Sequence, residues 1–337
     1  MIGSKWVSAG IGLALGMAGA SWAQTASTSP STELRTGSGQ AYPNKPVRVI
    51  FPFAAGGAGD IIARAYGQKF TDKFGQSWVL DNRGGAGSTI GTELAAKAPA
   101  DGYTLLQCNL TFAVSAAVYS KLPYDAERAF TPITTTVNVV SILAVTPSLP
   151  VSNVKDLIEY AKTRKGQLSF ASAGTGSTSH MSGELFKSMT GTDMMHVPYK
   201  GTGPALPDLL AGRVQVIFEP MPTMLPHVRA GRMKALGVTT AKRSAAAPDI
   251  PTIAEQGLEG YDVVLWYGMV APAGTPKAIV NKLHAAFTGF AASADIKQQL
   301  SSIGAEPATM SPAEFGAMIK RDIARWKKVA AEAGIRL

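Results

Sequence analysis

From residue 42 onward, short apolar runs alternate with amphipathic stretches. Residues 46–53 (PVRVIFPF) form a β-branched run that predicts a buried strand. The run passes into Ala54-Ala55-Gly56-Gly57-Ala58-Gly59, and Asp60 then opens an amphipathic helix, IIARAYGQKFTDKF. Residues 76–81 predict the next strand, followed by a glycine-rich loop at 83–87 and a helix over 89–97, and 103–107 predict a third strand. A strand over 139–145 leads to Pro147 and Pro150, where a second series starts. It comprises a helix over 155–165, a strand over 168–171, a second glycine loop (Ala173-Gly174-Thr175-Gly176-Ser177) and a helix over 180–189. Strands over 194–197, 214–218 and 235–239 follow, with helices between them. A long apolar strand over 263–270 then turns at 272–276 into a helical tail.

Strands alternating with helices predict an α/β chain with doubly wound parallel sheets. The Ala- and Lys-rich tail packs best on a sheet, which returns it to the first lobe and implies crossings near 138–146 and 263–270. The expected division is 42–142 plus 268–337 as lobe 1 and 143–267 as lobe 2.

The chain's beginning changes the picture of where it works. Lys5 precedes an apolar run over 7–20, and Ser21-Trp22-Ala23 supplies small residues at the positions a signal peptidase reads. The run falls short of the ~20 residues a membrane span needs, so 1–23 is expected to be a cleaved signal peptide and the protein to be exported. Residues 24–41 are rich in Ser, Thr and Gly and are expected to form a flexible leader.

A hydrophobic content of 46% with 16% charged residues indicates a filled core. Cys108 is the single cysteine, so no disulfide can form within the chain, and the core alone must hold an exported protein together. The net charge of +9 is spread along the chain apart from Arg325-Trp326-Lys327-Lys328, which reads as a solvated helix face. Export argues against nucleic acid; a small anionic ligand fits this balance better.

Strand, glycine loop and helix recur at 46–74 and 168–189, once in each lobe. Such a loop aims backbone N–H groups and a helix N-terminus at a bound anion. Two of them can face each other across a cleft and hold both ends of a diacid. Ser177, Thr178 and Ser179 add hydroxyls, with Ser177 or Thr178 also suited to N-capping, and Asp60 sits where an N-cap belongs. Gly85, Gly87 and Gly91 have GxGxxxG spacing, with Asp101 followed by Gly102, and read as a structural turn in place of a dinucleotide site. His180 and Glu184 lie four apart, but the remaining histidines lack ligand spacing, so no metal is expected. Ser177 and His180 admit a secreted serine hydrolase of esters or amides as the alternative. That reading lacks a GxSxG elbow and an orienting acid. The loop at 197–203 adds Tyr199 and Lys200, and Trp266 and Tyr267 lie in the second crossing.

Seven motifs in order carry a resemblance that runs from Tyr42 almost to the end. They are YPNKPVRVIFPFAAGGAGDIIAR, NRGGAGSTIGTELAAKAPADGYTLL, ASAGTGSTSHMSGELF, VPYKGTGPALPDLLAGRVQVIF, LPHVRAGRMKALGVTTAKRS, PDIPTIAEQGLEGYDV and WYGMVAPAGTP. The chain resembles the Bug family, the substrate-binding proteins of tripartite tricarboxylate transporters. The resemblance implies a two-lobe periplasmic-binding-protein (Venus flytrap) fold of type II-like architecture with a cleft between the lobes. It also implies a non-catalytic, cofactor-free and monomeric receptor in the periplasm, serving membrane subunits made of other chains or, by the same cleft, a sensor kinase.

Carried over by position, ligand-binding residues are Phe53, Ala55, Gly56, Gly57, Ala58, Gly59 and Asp60 in the first loop. Ser172, Gly174, Thr175, Gly176, Ser177, Thr178 and His180 follow in the second, with Tyr199 and Glu219. Glu219 stands where the family usually has Asp, and Ser88 where it commonly has Asn. Family ligands include amino-acid diacids, tricarboxylates and aromatic acids such as terephthalate and nicotinate, so the resemblance implies a small carboxylate without choosing one; a dicarboxylate or aromatic acid is the first expectation here.

Overall fold

In the computed structural model, which describes residues 42–332 and 334–337, the strands gather into two sheets. The signal peptide expected over 1–23 and the leader expected over 24–41 lie outside the described residues. The first stretch of chain forms β1 (Val47–Phe51), α1 (Ala58–Phe74), β2 (Trp78–Asn82), α2 (Thr89–Ala96), β3 (Thr104–Asn109), α3 (Leu110–Val118) and β4 (Phe130–Val139). The middle forms β5 (Ser141–Val145), α4 (Val154–Thr163), β6 (Ser169–Ser172), α5 (Thr178–Thr190) and β7 (Met195–Pro198). It continues with α6 (Thr202–Leu210), β8 (Val216–Pro220), α7 (Met221–Arg229) and β9 (Lys234–Val238). The last stretch forms β10 (Leu265–Pro272), α8 (Lys277–Ala292), α9 (Ala294–Ser301), β11 (Ala305–Pro307) and α10 (Pro312–Glu332).

One sheet has the order β11-β4-β10-β3-β1-β2 and the other β7-β6-β8-β5-β9. Both are mixed, where the alternation of elements had predicted parallel sheets. β1 runs parallel to β2 and β3, and β6 parallel to β7 and β8, but β10 and β5 are antiparallel to both of their neighbours. The cause is the crossing between lobes. β1, β3, β6 and β8 end at the cleft, whereas β5 and β10 enter their sheets from it and so must run the other way.

The strand expected over 139–145 is in fact the end of β4, a single linking residue, Val140, and β5. With no turn residue at the break, the apolar run reads as continuous. Val263 still bonds to Thr239 beyond β9, while Leu265 is already paired with Val139 of β4. The tail is interrupted by β11, which pairs with β4.

α10 shows why the tail belongs on the first sheet. Phe315, Ile319, Ile323, Trp326 and Ala330 are buried at helical spacing, while Arg325, Lys327 and Lys328 face solvent. Phe315 meets Trp266 of β10 edge-on at 5.3 Å, and the Trp266 indole N–H donates to Asp322 at 2.8 Å. No described helix is long and apolar enough to cross a membrane. Phe315→Ala is expected to lower unfolding stability by about 3–5 kcal/mol, read from the urea midpoint at unchanged slope. A loss below about 1 kcal/mol would show that α10 does not lean on this ring.

Candidate functional site

Each strand that ends at the cleft hands its chain to a helix whose first turn faces the same space. Between the lobes lies a cavity lined by residues of both. Its walls include the starts of five helices: Gly57, Ala58 and Gly59 at α1, Asn109 and Thr111 at α3, Ser177, Thr178 and Ser179 at α5, Thr202 at α6 and Pro220 at α7. A helix start carries unpaired N–H groups and about half a unit of positive charge. No Lys or Arg is among the described lining residues, so the cavity's attraction for anions comes from backbone and hydroxyl groups. Phe51, Phe53, Phe218, Leu265 and Tyr267 supply the apolar wall.

The helix starts differ in how far they are already satisfied. Asn109 Oδ1 accepts from Thr111 N at 3.0 Å and Ser177 Oγ from His180 N at 3.3 Å, so α3 and α5 are capped by side chains. The N-caps of α1 (Gly57) and α6 (Gly201) make no side-chain cap bond, which leaves these helix starts for a ligand, whereas at α7 the Met221 N–H donates to Val140 O at 2.8 Å and Pro222 has no N–H. Asp60 is not the cap its position suggested, because α1 begins earlier, at Ala58. Its carboxylate instead accepts from Gly56 N at 3.3 Å and pairs with Arg64 at 3.1 Å, bracing the loop from behind.

The second loop is tied together by hydroxyls and two stacked imidazoles. Ala173 N donates to Ser179 Oγ (2.9 Å), and Ser177 Oγ and Ser179 Oγ share a bond at 3.1 Å. Ser172 Oγ meets His196 Nε2 at 2.6 Å and accepts from Gly174 N at 3.1 Å. His180 and His196 stack with centroids 3.9 Å apart, and burial pulls each down to about 4, helped by Lys187 and, for His196, by the His180 ring. Both rings are therefore neutral at pH 7.

Gly176 N donates to His180 Nδ1 at 3.2 Å, so the ring proton sits on Nε2. That nitrogen lies 3.8 Å from Glu184, itself bonded to Lys187 at 2.9 Å. His180 thus has no free lone pair with which to take a proton from Ser177, and a serine hydrolase requires one. Among the described residues no group of three or more His, Cys, Asp or Glu is placed to hold a metal.

Of the residues expected at the site, Phe53, Gly57, Ala58, Gly59, Ser177, Thr178 and Glu219 line the cavity. Gly174, Thr175 and Tyr199 line a groove at its edge with Ala86, Gly87 and Lys200, and the Tyr199 hydroxyl donates to Asp208 at 2.7 Å. Asp60, Ser172, Gly176 and His180 are buried behind the lining and support it, while Ala55 and Gly56 are exposed where the first loop meets Gly203. Sequence reasoning missed Asn109, Thr111, Ser141 and Thr202. Of the two rings in the second crossing, Tyr267 faces the cavity and Trp266 faces α10, as strand alternation requires. Ser88 is buried with an unpartnered hydroxyl and is not in the lining.

The lobes meet across the cleft. Ala54 N donates to Lys200 O (2.9 Å), Thr178 N to Thr111 Oγ1 (3.0 Å) and the Tyr119 hydroxyl to Thr175 O (2.8 Å). Backbone approaches backbone closely enough that a Cβ on Gly203 would lie 2.2 Å from Ala55 O, and one on Gly87 would lie 2.0 Å from Thr175 O.

Two α/β lobes closed over a cavity of helix starts define a solute-binding receptor. The chain belongs to the tripartite tricarboxylate transporter family of receptors, whose family model matches residues 62–335. It is 41% identical to the structure of Rpa4515 of R. palustris with adipate, which covers 88% of this chain and 99% of that one with a TM-score of 0.85. The periplasmic binding protein BugD is 34% identical at a TM-score of 0.85, with 88% and 99% covered. MatC (Rpa3494) from Rhodopseudomonas palustris with bound malate is 32% identical at 0.81, with 86% and 99% covered.

Gly203→Val is expected to disfavour the closed form by about 1–3 kcal/mol through overpacking against Ala55 O. Small-angle scattering should then report a more open particle with unchanged far-UV circular dichroism. An unchanged scattering profile would show that closure does not need this approach.

Proposed function

We propose that this chain is a periplasmic receptor that closes on a small aliphatic dicarboxylate and presents it to the membrane subunits of a tripartite tricarboxylate transporter. The observation that carries the reading is a cavity polar at several helix starts, apolar between them and free of basic side chains among its described lining residues. A diacid matches it, with charged ends for the N–H groups and hydroxyls and a methylene middle for Phe53, Phe218 and Leu265. The structures similar to this chain that hold adipate and malate support the same class. The rings of Phe51, Phe53, Phe218 and Tyr267 favour an aromatic acid such as terephthalate as the second reading. Export by cleavage after Ala23 fits a family that includes a periplasmic binding protein.

In this reading the uncapped start of α1 and the hydroxyls of Ser177 and Thr178 grip one carboxylate, and the ligand shifts the lobes toward the closed state by bonding to both. The residues behind the lining hold the loops in shape.

Thermal unfolding of the purified protein against aliphatic and aromatic mono-, di- and tricarboxylates tests the proposal. A diacid at a hundredfold excess over its Kd should add about 2.7 kcal/mol and raise the midpoint. Ser177→Phe should remove the shift in a protein that still unfolds cooperatively, although the lost cap and the overpacked ring lower its ligand-free midpoint. If no acid raises the midpoint of protein refolded to strip any co-purified ligand, the carboxylate reading is wrong.

A further inference from the structure

Glu219 stands apart from the satisfied polar groups of the cleft wall. It is 4% exposed, one of its oxygens bonds to the Thr202 hydroxyl, and the other, Oε2, has no partner. It is the one carboxylate among the described lining residues, which include no Lys, Arg or His. An ionised carboxylate buried with an unmatched oxygen and no cation is a costly arrangement. A protonated one is a donor in need of an acceptor. Burial pushes Glu219 up to about 8, with the Thr202 bond holding it partly down. The starts of α6 and α7 favour the anion. A dicarboxylate seated in the same cavity acts against them, because like charges in one enclosed space oppose each other's ionisation.

Resting on the dicarboxylate reading above, we propose that Glu219 binds the ligand as a neutral acid. Its Oε2–H donates to a ligand carboxylate oxygen, so that anion and proton enter the cleft together. The proton comes from solvent whenever Glu219 is ionised in the free protein, and no bond of the ligand is made or broken.

The surroundings leave this role to Glu219. Tyr267 on β10 faces it, and burial, reinforced by Glu219 itself, pushes that phenol well above the ordinary tyrosine range. Asp60 on α1 is paired with Arg64, and on α5 Glu184 is paired with Lys187 beside His180. On α6, Asp208 is bonded to Tyr199 and Arg213, and on α7 His227 and Arg229 lie in the last turn, remote from the end of β8. β5 and β6 carry no ionisable side chain.

Calorimetric titration with adipate and with malate from pH 7 to 10, in buffers of differing ionisation enthalpy, tests the proposal. Above pH 8 the Kd should rise about tenfold per pH unit, with uptake of close to one proton per ligand at pH 10. Glu219→Gln keeps a donor but cannot ionise. It should bind about tenfold more weakly at pH 7, lose the pH dependence, and bind more tightly than the wild type at pH 10. Binding with a flat Kd and no proton uptake overturns the proposal while leaving the dicarboxylate reading standing. Absence of binding by both acids at pH 7 overturns that reading and this proposal with it. The proton count on the wild type decides the matter even if the variant does not fold.

Discussion

A strand that passes its chain to a helix at the edge of a sheet leaves the helix's first N–H groups without partners. In this protein several such edges face one space, and that is the constraint on which the rest depends. The partial charges of α1, α3, α5, α6 and α7 would repel one another across an empty dry cavity, so the arrangement suits a bound anion. The same constraint sets the chemistry of the wall. Hydroxyls and backbone N–H groups are what this wall offers an anion, and a lysine or arginine would add its own desolvation cost.

Closure follows from the residues that bring those helix starts together. At two of the points where the lobes touch, backbone meets backbone: Gly203 against Ala55 and Gly87 against Thr175. The bonds that span the gap, from Ala54 to Lys200 and from Thr178 to Thr111, join loops and helix starts. The crossings that connect the lobes lie at short links, Val140 between β4 and β5 and residues 261–264 before β10.

Much of this is legible in the sequence, and the failures have physical causes. The β-branched runs and glycine loops lead to β1, α1, β6 and α5, and so to Gly57 and Ser177 in the cavity wall. α3 was passed over because it is apolar on nearly every side and gives no amphipathic period. Asn109 and Thr111 went with it, although an Asn at a strand end followed by a Thr two residues on is a capping signal. Ser141 has no local pattern, since nothing nearby says that β5 enters from the cleft, and Thr202 lies in the strand-to-helix loop at 197–203 that the sequence marks without saying that α6 points into the cavity. Glu219 drew notice only through the family resemblance. Its significance lies in burial and an unmatched oxygen, which depend on residues far away in the chain.

The central claim is that helix starts and hydroxyls hold a doubly charged ligand without help from basic side chains. The most direct test compares adipate with adipamide, which has the same shape and no charge, by calorimetry at pH 7. The account predicts that adipate binds at least about a hundredfold more tightly, since charged acceptors strengthen each bond to an N–H group. Equal affinity for the two would contradict it, and would mean that shape and apolar contact alone hold the ligand.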